Sequence, residues 1–147
     1  MVEELGTKET AEKTIPVQEG LFTLPDSTEG FHLVGSKCRF CGAISFPKKE
    51  RCIKCFRDGV DIVPLSPKGI VRTWTIIRMK PFGYKDKAPY ILAEVELPEG
   101  PHVRTQLAGI NLENPEVKIG DEVEAVIEKI YEDENGNDVM CYKFKRV

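Results

Sequence analysis

The stretch "CRFCGAISFPKKERCIKC", Cys38 to Cys55, sets four of the chain's five cysteines in two CxxC pairs with ten residues between them. No other feature of the sequence narrows the fold as much. Each CxxC pair bends the backbone into a knuckle that turns two thiolates to one side, and two knuckles supply the four sulfurs of a tetrahedral ion. The odd cysteine total and the paired spacing favour reduced thiols over a disulfide framework, as does the lack of a basic segment followed by an apolar run and a small-residue cleavage site. The expectation is a cytoplasmic protein with zinc held by Cys38, Cys41, Cys52 and Cys55. Iron in a rubredoxin-like site, or an adventitious disulfide, is the alternative. Four thiolates fill the tetrahedron and leave no position for water or substrate, so the ion's expected role is structural. Gly42 after the first pair suits a sharp turn; Phe56 after the second does not, which predicts a less regular second knuckle.

At 147 residues, 41% of them hydrophobic and 31% charged, the chain can bury one modest core, or a smaller core beside a module held together by other means. A single large enzyme domain is not expected. No apolar segment approaches spanning length, so no membrane partner is expected either. The net charge of −3 conceals an asymmetry: residues 37–57 carry seven basic residues against Glu50, giving +6, whereas residues 1–30 carry two lysines against seven acids, giving −5. The positive charge therefore gathers around the cysteines.

Residues 1–30 hold isolated apolar positions (Ile15, Val17, Leu21, Phe22, Leu24), too sparse for a self-sufficient element, and read as an N-terminal arm that is either frayed or docked. Residues 31–64 read as a small ribbon of short β runs, too small for a core of its own, which is why a metal is expected there. A Pro-containing joint at "VPLSPKG" leads into residues 65–147. In that segment "GIVRTWTIIRM" sets Val71, Thr73, Thr75, Ile77 and Met79 on one face against Ile70, Arg72, Trp74, Ile76 and Arg78 on the other, and "YILAEVEL" alternates Ile91, Ala93, Val95 and Leu97 with glutamates. "DEVEAVIEKIY" also fits a helix, but the turn "ENGND" and the run "VMCYKF" behind it argue for a strand pair. Five strands without a long helix predict a mainly β protein whose C-terminal part is an OB-type barrel.

Nothing in the sequence assembles a catalytic apparatus. Cys141 sits in strand-like alternation as a small buried hydrophobe, and His32 and His102 lie far in sequence from any catalytic-looking partner. No glycine-rich phosphate loop, nucleophile elbow or HExxH helix is present. The loop "RMKPFGYKDKAPY", residues 78–90, stands apart because it mixes Lys80, Lys85 and Lys87 with Phe82, Tyr84 and Tyr90. It is either an ordinary hairpin loop or a contact for an anionic or planar group.

Taken in order, the arm, "KCRFCGAISFPKKERCIKC", the joint, "GIVRTWTIIR", "PYILAEVELPEG" and "IGDEVEA" resemble the family of acyl-CoA-associated zinc-ribbon/OB-fold proteins, long described only as a domain of unknown function. The resemblance covers roughly residues 20–145. It implies a rubredoxin-like zinc ribbon followed by a five-stranded OB barrel. It also implies an accessory, noncatalytic role beside a thiolase-superfamily subunit. Family members serve thiolases, hydroxymethylglutaryl-CoA synthases, sterol side-chain aldolases and hydratases. The length and arm look most like the small subunit of benzoylsuccinyl-CoA thiolase of anaerobic toluene degradation.

With that family as guide, the partners expected are a thiolase-like catalytic subunit and acyl-CoA. A thiolase needs an activated cysteine, a histidine and a second acid/base cysteine, so catalysis would reside on the partner. CoA phosphates would be drawn to Lys48, Lys49 and Arg51 on the ribbon, and Lys80, Phe82, Tyr84 and Lys85 on the loop would help hold CoA or the catalytic subunit. The competing expectation is a single-stranded nucleic-acid-binding module, which the pI near 5.5 weighs against without removing. A third is a free-standing redox protein.

Overall fold

A computed structural model describes residues 14–24 and 30–147. All regular structure among them is β: β1 (Thr14–Pro16), β2 (Leu33–Cys38), β3 (Ile44–Ser45), β4 (Val60–Leu65), β5 (Lys68–Ile77), β6 (Tyr90–Glu96), β7 (His102–Ala108), β8 (Glu122–Glu132) and β9 (Asp138–Arg146). No helix is long and apolar enough to cross a membrane among these residues.

The ribbon is a three-stranded antiparallel sheet in the order β3-β2-β4. The joint expected at "VPLSPKG" begins later than the sequence predicts, because Val63, Pro64 and Leu65 pair with Gly35, Val34 and Leu33 as the end of β4. Proline is tolerated there since β4 is an edge strand, where a missing N–H costs no ladder bond.

The second sheet runs β9-β7-β6-β5-β8 and closes through β8 against β9, which makes a five-stranded barrel. Closure pairs strand edges that would otherwise template association. The ambiguous "DEVEAVIEKIY" is the long strand β8, paired with β9 around the turn in which the Asp133 carboxylate accepts N–H bonds from Asn135 and Asn137 at 2.9 and 2.8 Å. Alternation along β6 is as predicted, with Ile91, Ala93, Val95 and Leu97 all buried.

Along β5 the predicted faces hold only to Val71. A bulge between Val71 and Thr73 leaves Arg72 unmatched, so Thr73 pairs with Glu94 and Trp74 with Ala93. One extra residue reverses every later side chain. Trp74 and Ile76 consequently pack on the core, where strict alternation would have placed Thr73 and Thr75.

The core is one continuous cluster. Phe22 of the arm and Leu33 and Leu65 of the ribbon join Val71, Ile91, Val95, Val103, Val123 and Phe144 of the barrel. The described part of the arm is docked on this chain itself: β1 adds parallel to β9, pairing Ile15 with Val139. Tyr142 is the hub of the junction, meeting Phe22, Phe46 and Phe144 edge-on at ring separations of 6.0, 5.9 and 6.4 Å. The rest of the expected arm, residues 1–13 and 25–29, lies outside the described residues.

Candidate metal centre and the neighbouring loop

The two knuckles bring Cys38, Cys41, Cys52 and Cys55 together, with all four sulfurs within 4.8 Å of one another. Cys38 and Cys55 approach to 3.6 Å and Cys41 and Cys52 to 3.5 Å, without a disulfide. A tetrahedron of Zn–S bonds of about 2.3 Å has edges of about 3.8 Å, so this set fits a structural zinc ion.

Backbone donors prepare the sulfurs for charge. The Cys38 sulfur accepts N–H bonds from Phe40 and Cys41 at 3.4 and 3.5 Å, and the Cys52 sulfur accepts from Lys54 and Cys55 at 3.3 and 3.4 Å. The N–H of Cys55, aided by Lys54, brings the Cys52 thiol down to about 6, and that of Cys41 lowers Cys38. The Arg57 N–H works the same way on Cys55, but burial and the neighbouring sulfurs outweigh it and push that thiol up to about 11. A divalent cation would draw off the remaining protons, since coordinated thiols are deprotonated outright.

The second knuckle is as regular as the first, contrary to expectation. Gly42 takes φ +78° and Phe56 takes φ +64°, and their N–H groups reach back to the Cys38 and Cys52 carbonyls at 3.1 and 3.0 Å. The turn needs a left-handed residue at that place, and Phe56 adopts the conformation despite its Cβ.

Acids just beyond the basic stretch moderate its field. Arg51 forms a two-pronged pair with Asp58 (2.9 and 3.2 Å), and Arg39 bonds Asp61 at 2.8 Å. Lys48 and Lys49 have no such partner among the described residues; the end of the Lys48 side chain lies over Gly20 of the arm, and the Lys49 N–H donates to Ser36 Oγ at 2.9 Å. No hydrogen bond or ion pair joins these ribbon cations to Lys80, Phe82, Tyr84 or Lys85, so the candidate contacts form two groups.

The second group adjoins a cleft of about 410 Å³ on the barrel, lined by Tyr84, Lys85, Tyr90, Leu92, Arg104 and Tyr142 among others. The Tyr84 ring stacks on Tyr90 at 4.8 Å. Beneath it, Lys143 Nζ donates to Asp86 at 2.8 Å. Burial alone would raise the Asp86 carboxyl, but that ammonium and the Lys87 N–H hold it below its ordinary range. The sequence reading missed this pair because Lys143 is 57 residues away and alternates like any solvent-facing strand residue.

The remaining candidates are occupied. Burial pushes the Cys141 thiol up, which keeps it protonated and a poor nucleophile. His102 lies between Glu94 and Glu96 at 2.7 and 3.2 Å. His32 Nδ1 lies 3.0 Å from the Leu33 carbonyl.

Known proteins share this architecture. Residues 31–61 match the rubredoxin-like zinc ribbon domain of ChsH2, and residues 62–128 match its C-terminal OB-fold domain. A DUF35 domain-containing scaffold protein of Pyrococcus furiosus is 42% identical over 120 residues, 81% of this chain and 86% of that one. Benzoylsuccinyl-CoA thiolase subunit BbsA of Geobacter metallireducens is 31% identical over 148 residues, covering 99% and 97% of the two chains. Among solved structures, the Ltp2-ChsH2(DUF35) aldolase aligns with a TM-score of 0.63 at 25% identity, over 78% of this chain and 84% of that one. The paired knuckles, the closed barrel and these matches make the chain a member of the ChsH2-type zinc-ribbon/OB-fold family, also called DUF35.

Proposed function

We propose that this chain is a noncatalytic subunit of a thiolase-superfamily enzyme that acts on acyl-CoA, with zinc fastening the ribbon that helps form the shared substrate site. The observation that carries this reading is the end-to-end similarity to a benzoylsuccinyl-CoA thiolase subunit. The aldolase match supports the wider class. In this role zinc supplies cross-linking alone, because four sulfurs complete its coordination.

Lys48 and Lys49 are the phosphate contacts in this reading, since no acid among the described residues pairs with them. Arg51, bonded to Asp58, holds the ribbon's turn. Lys80, Phe82, Tyr84 and Lys85 belong to the face turned towards the complex. The chain would work in the cytoplasm, where acyl-CoA chemistry takes place and thiols stay reduced. Of the named relatives, the benzoylsuccinyl-CoA thiolase subunit is the specific reading we adopt.

The test is co-purification of the tagged chain from its source cell. A thiolase-type companion that stays bound at high salt, and whose CoA KM rises when Lys48 and Lys49 are changed to glutamate, is the expected result. Thioester turnover by the isolated chain at the rate of the complex would overturn the reading. One observation favours a second function: the cleft beside the β5–β6 loop, with its stacked tyrosines, occupies the face where OB folds take up oligonucleotides. Steeply salt-dependent binding of a single-stranded oligonucleotide would support it.

A further inference from the structure

The loop between β5 and β6 has an anchored base and a projecting tip. At the base, the Asp86 and Lys143 side chains of the buried ion pair are only 14% and 13% exposed, and Tyr84 is stacked on Tyr90. At the tip, the Tyr84 N–H donates to the Pro81 carbonyl at 3.0 Å and closes a β-turn. Gly83, at the turn's third position, has φ +79°, the left-handed value a type II turn requires. This puts Phe82 at the turn's apex, where it is fully exposed; Met79, three residues earlier, is 84% exposed.

The tip is convex. Phe82, Met79 and Lys80 take no part in lining the adjacent cleft, although Gly83, Tyr84 and Lys85 do. A small ligand needs a concavity to bury most of its surface, so a projecting ring is poorly suited to hold one. Such a ring suits insertion into a hollow on another protein, where aromatic anchors in desolvated pockets dominate binding. Arg78, Lys80, Lys85 and Lys87 flank it in sequence, and none of them forms an ion pair among the described residues. Two tips facing one another in a symmetric dimer would oppose like charges, which argues against a second copy as the occupant.

We propose that Phe82 is an anchor that enters an apolar, acid-rimmed socket on the catalytic subunit; this deepens, and rests on, the assembly reading above. The tight turn and the pinned base preorganise the tip, so little ordering accompanies docking.

The experiment measures binding of the purified zinc-loaded chain to its purified thiolase-type companion. Phe82→Ala is expected to weaken association by roughly 10- to 30-fold, mainly through faster dissociation, with the melting temperature of the free chain unchanged. Phe82→Trp should retain binding, and Lys80→Glu should slow association at low salt. If the wild-type chain binds the companion and Phe82→Ala binds it equally well, the anchor is wrong while the assembly reading stands. If the wild-type chain binds no thiolase-type subunit, both are wrong. Loss of a wild-type homodimer, or of CoA binding with subunit affinity intact, would also overturn the anchor by assigning the tip to another occupant.

Discussion

At the scale of single residues, the second knuckle shows what its turn tolerates. Phe56 holds a left-handed backbone that glycine adopts freely, and its ring is 71% exposed, so little packing offsets the strain. Phe56→Gly is therefore expected to tighten zinc binding roughly fivefold in competition with a chelator, equivalent to about 1 kcal/mol; weaker binding would mean that the ring contributes more than its exposure implies. His102 provides a pH test. The hydrogen bond from Glu94, opposed by burial and reinforced by Glu96, raises its pKa above the ordinary 6.5. A group whose pKa is raised on folding contributes fully below its unfolded value and loses that contribution as pH rises through its folded value. Stability should accordingly decline as pH rises above about 6.5, and His102→Gln should flatten that part of the curve. An unchanged slope would show that the carboxylates do not act on the imidazole as the geometry indicates.

At the scale of elements, the ribbon and the barrel owe their order to different causes. The metal clamp holds residues 37–57, whereas the paired strands β5 to β9 hold themselves. Cys52→Ser should release the ion and speed amide exchange across residues 37–57 while the barrel amides stay protected; barrel exchange that accelerated equally would refute this division. The same contrast separates what could be read from the sequence from what could not. CxxC spacing states its chemistry locally, and the alternation in β6 survives because nothing interrupts its ladder. In β5 the pattern misleads after Val71, since a bulge depends on the partner strand and leaves no mark in the sequence of β5 itself. Proline in β4 reads as a joint for a related reason: whether it lies on an edge depends on sheet order.

At the scale of the molecule, arm, ribbon and barrel meet at Tyr142. Its hydroxyl donates only a long bond, 3.4 Å, to the Arg104 carbonyl, so the ring is what matters. Tyr142→Ala should destabilise the protein by about 3 kcal/mol in urea unfolding and loosen residues 14–24, and Tyr142→Phe should be close to neutral. Equal losses for the two variants would show that the hydroxyl, rather than the edge-on ring contacts, ties the three parts together.

The sequence by itself determined the metal chemistry and the β class, because each is written in neighbouring residues through spacing, alternation and turn chemistry. Only the tertiary structure decided that Phe22, Leu33 and Leu65 share the barrel's core, that Asp58 engages Arg51, and that Lys143 pins the loop from which Phe82 projects. Those outcomes depend on which distant surfaces exclude water together, and burial between residues tens of positions apart has no period along the chain.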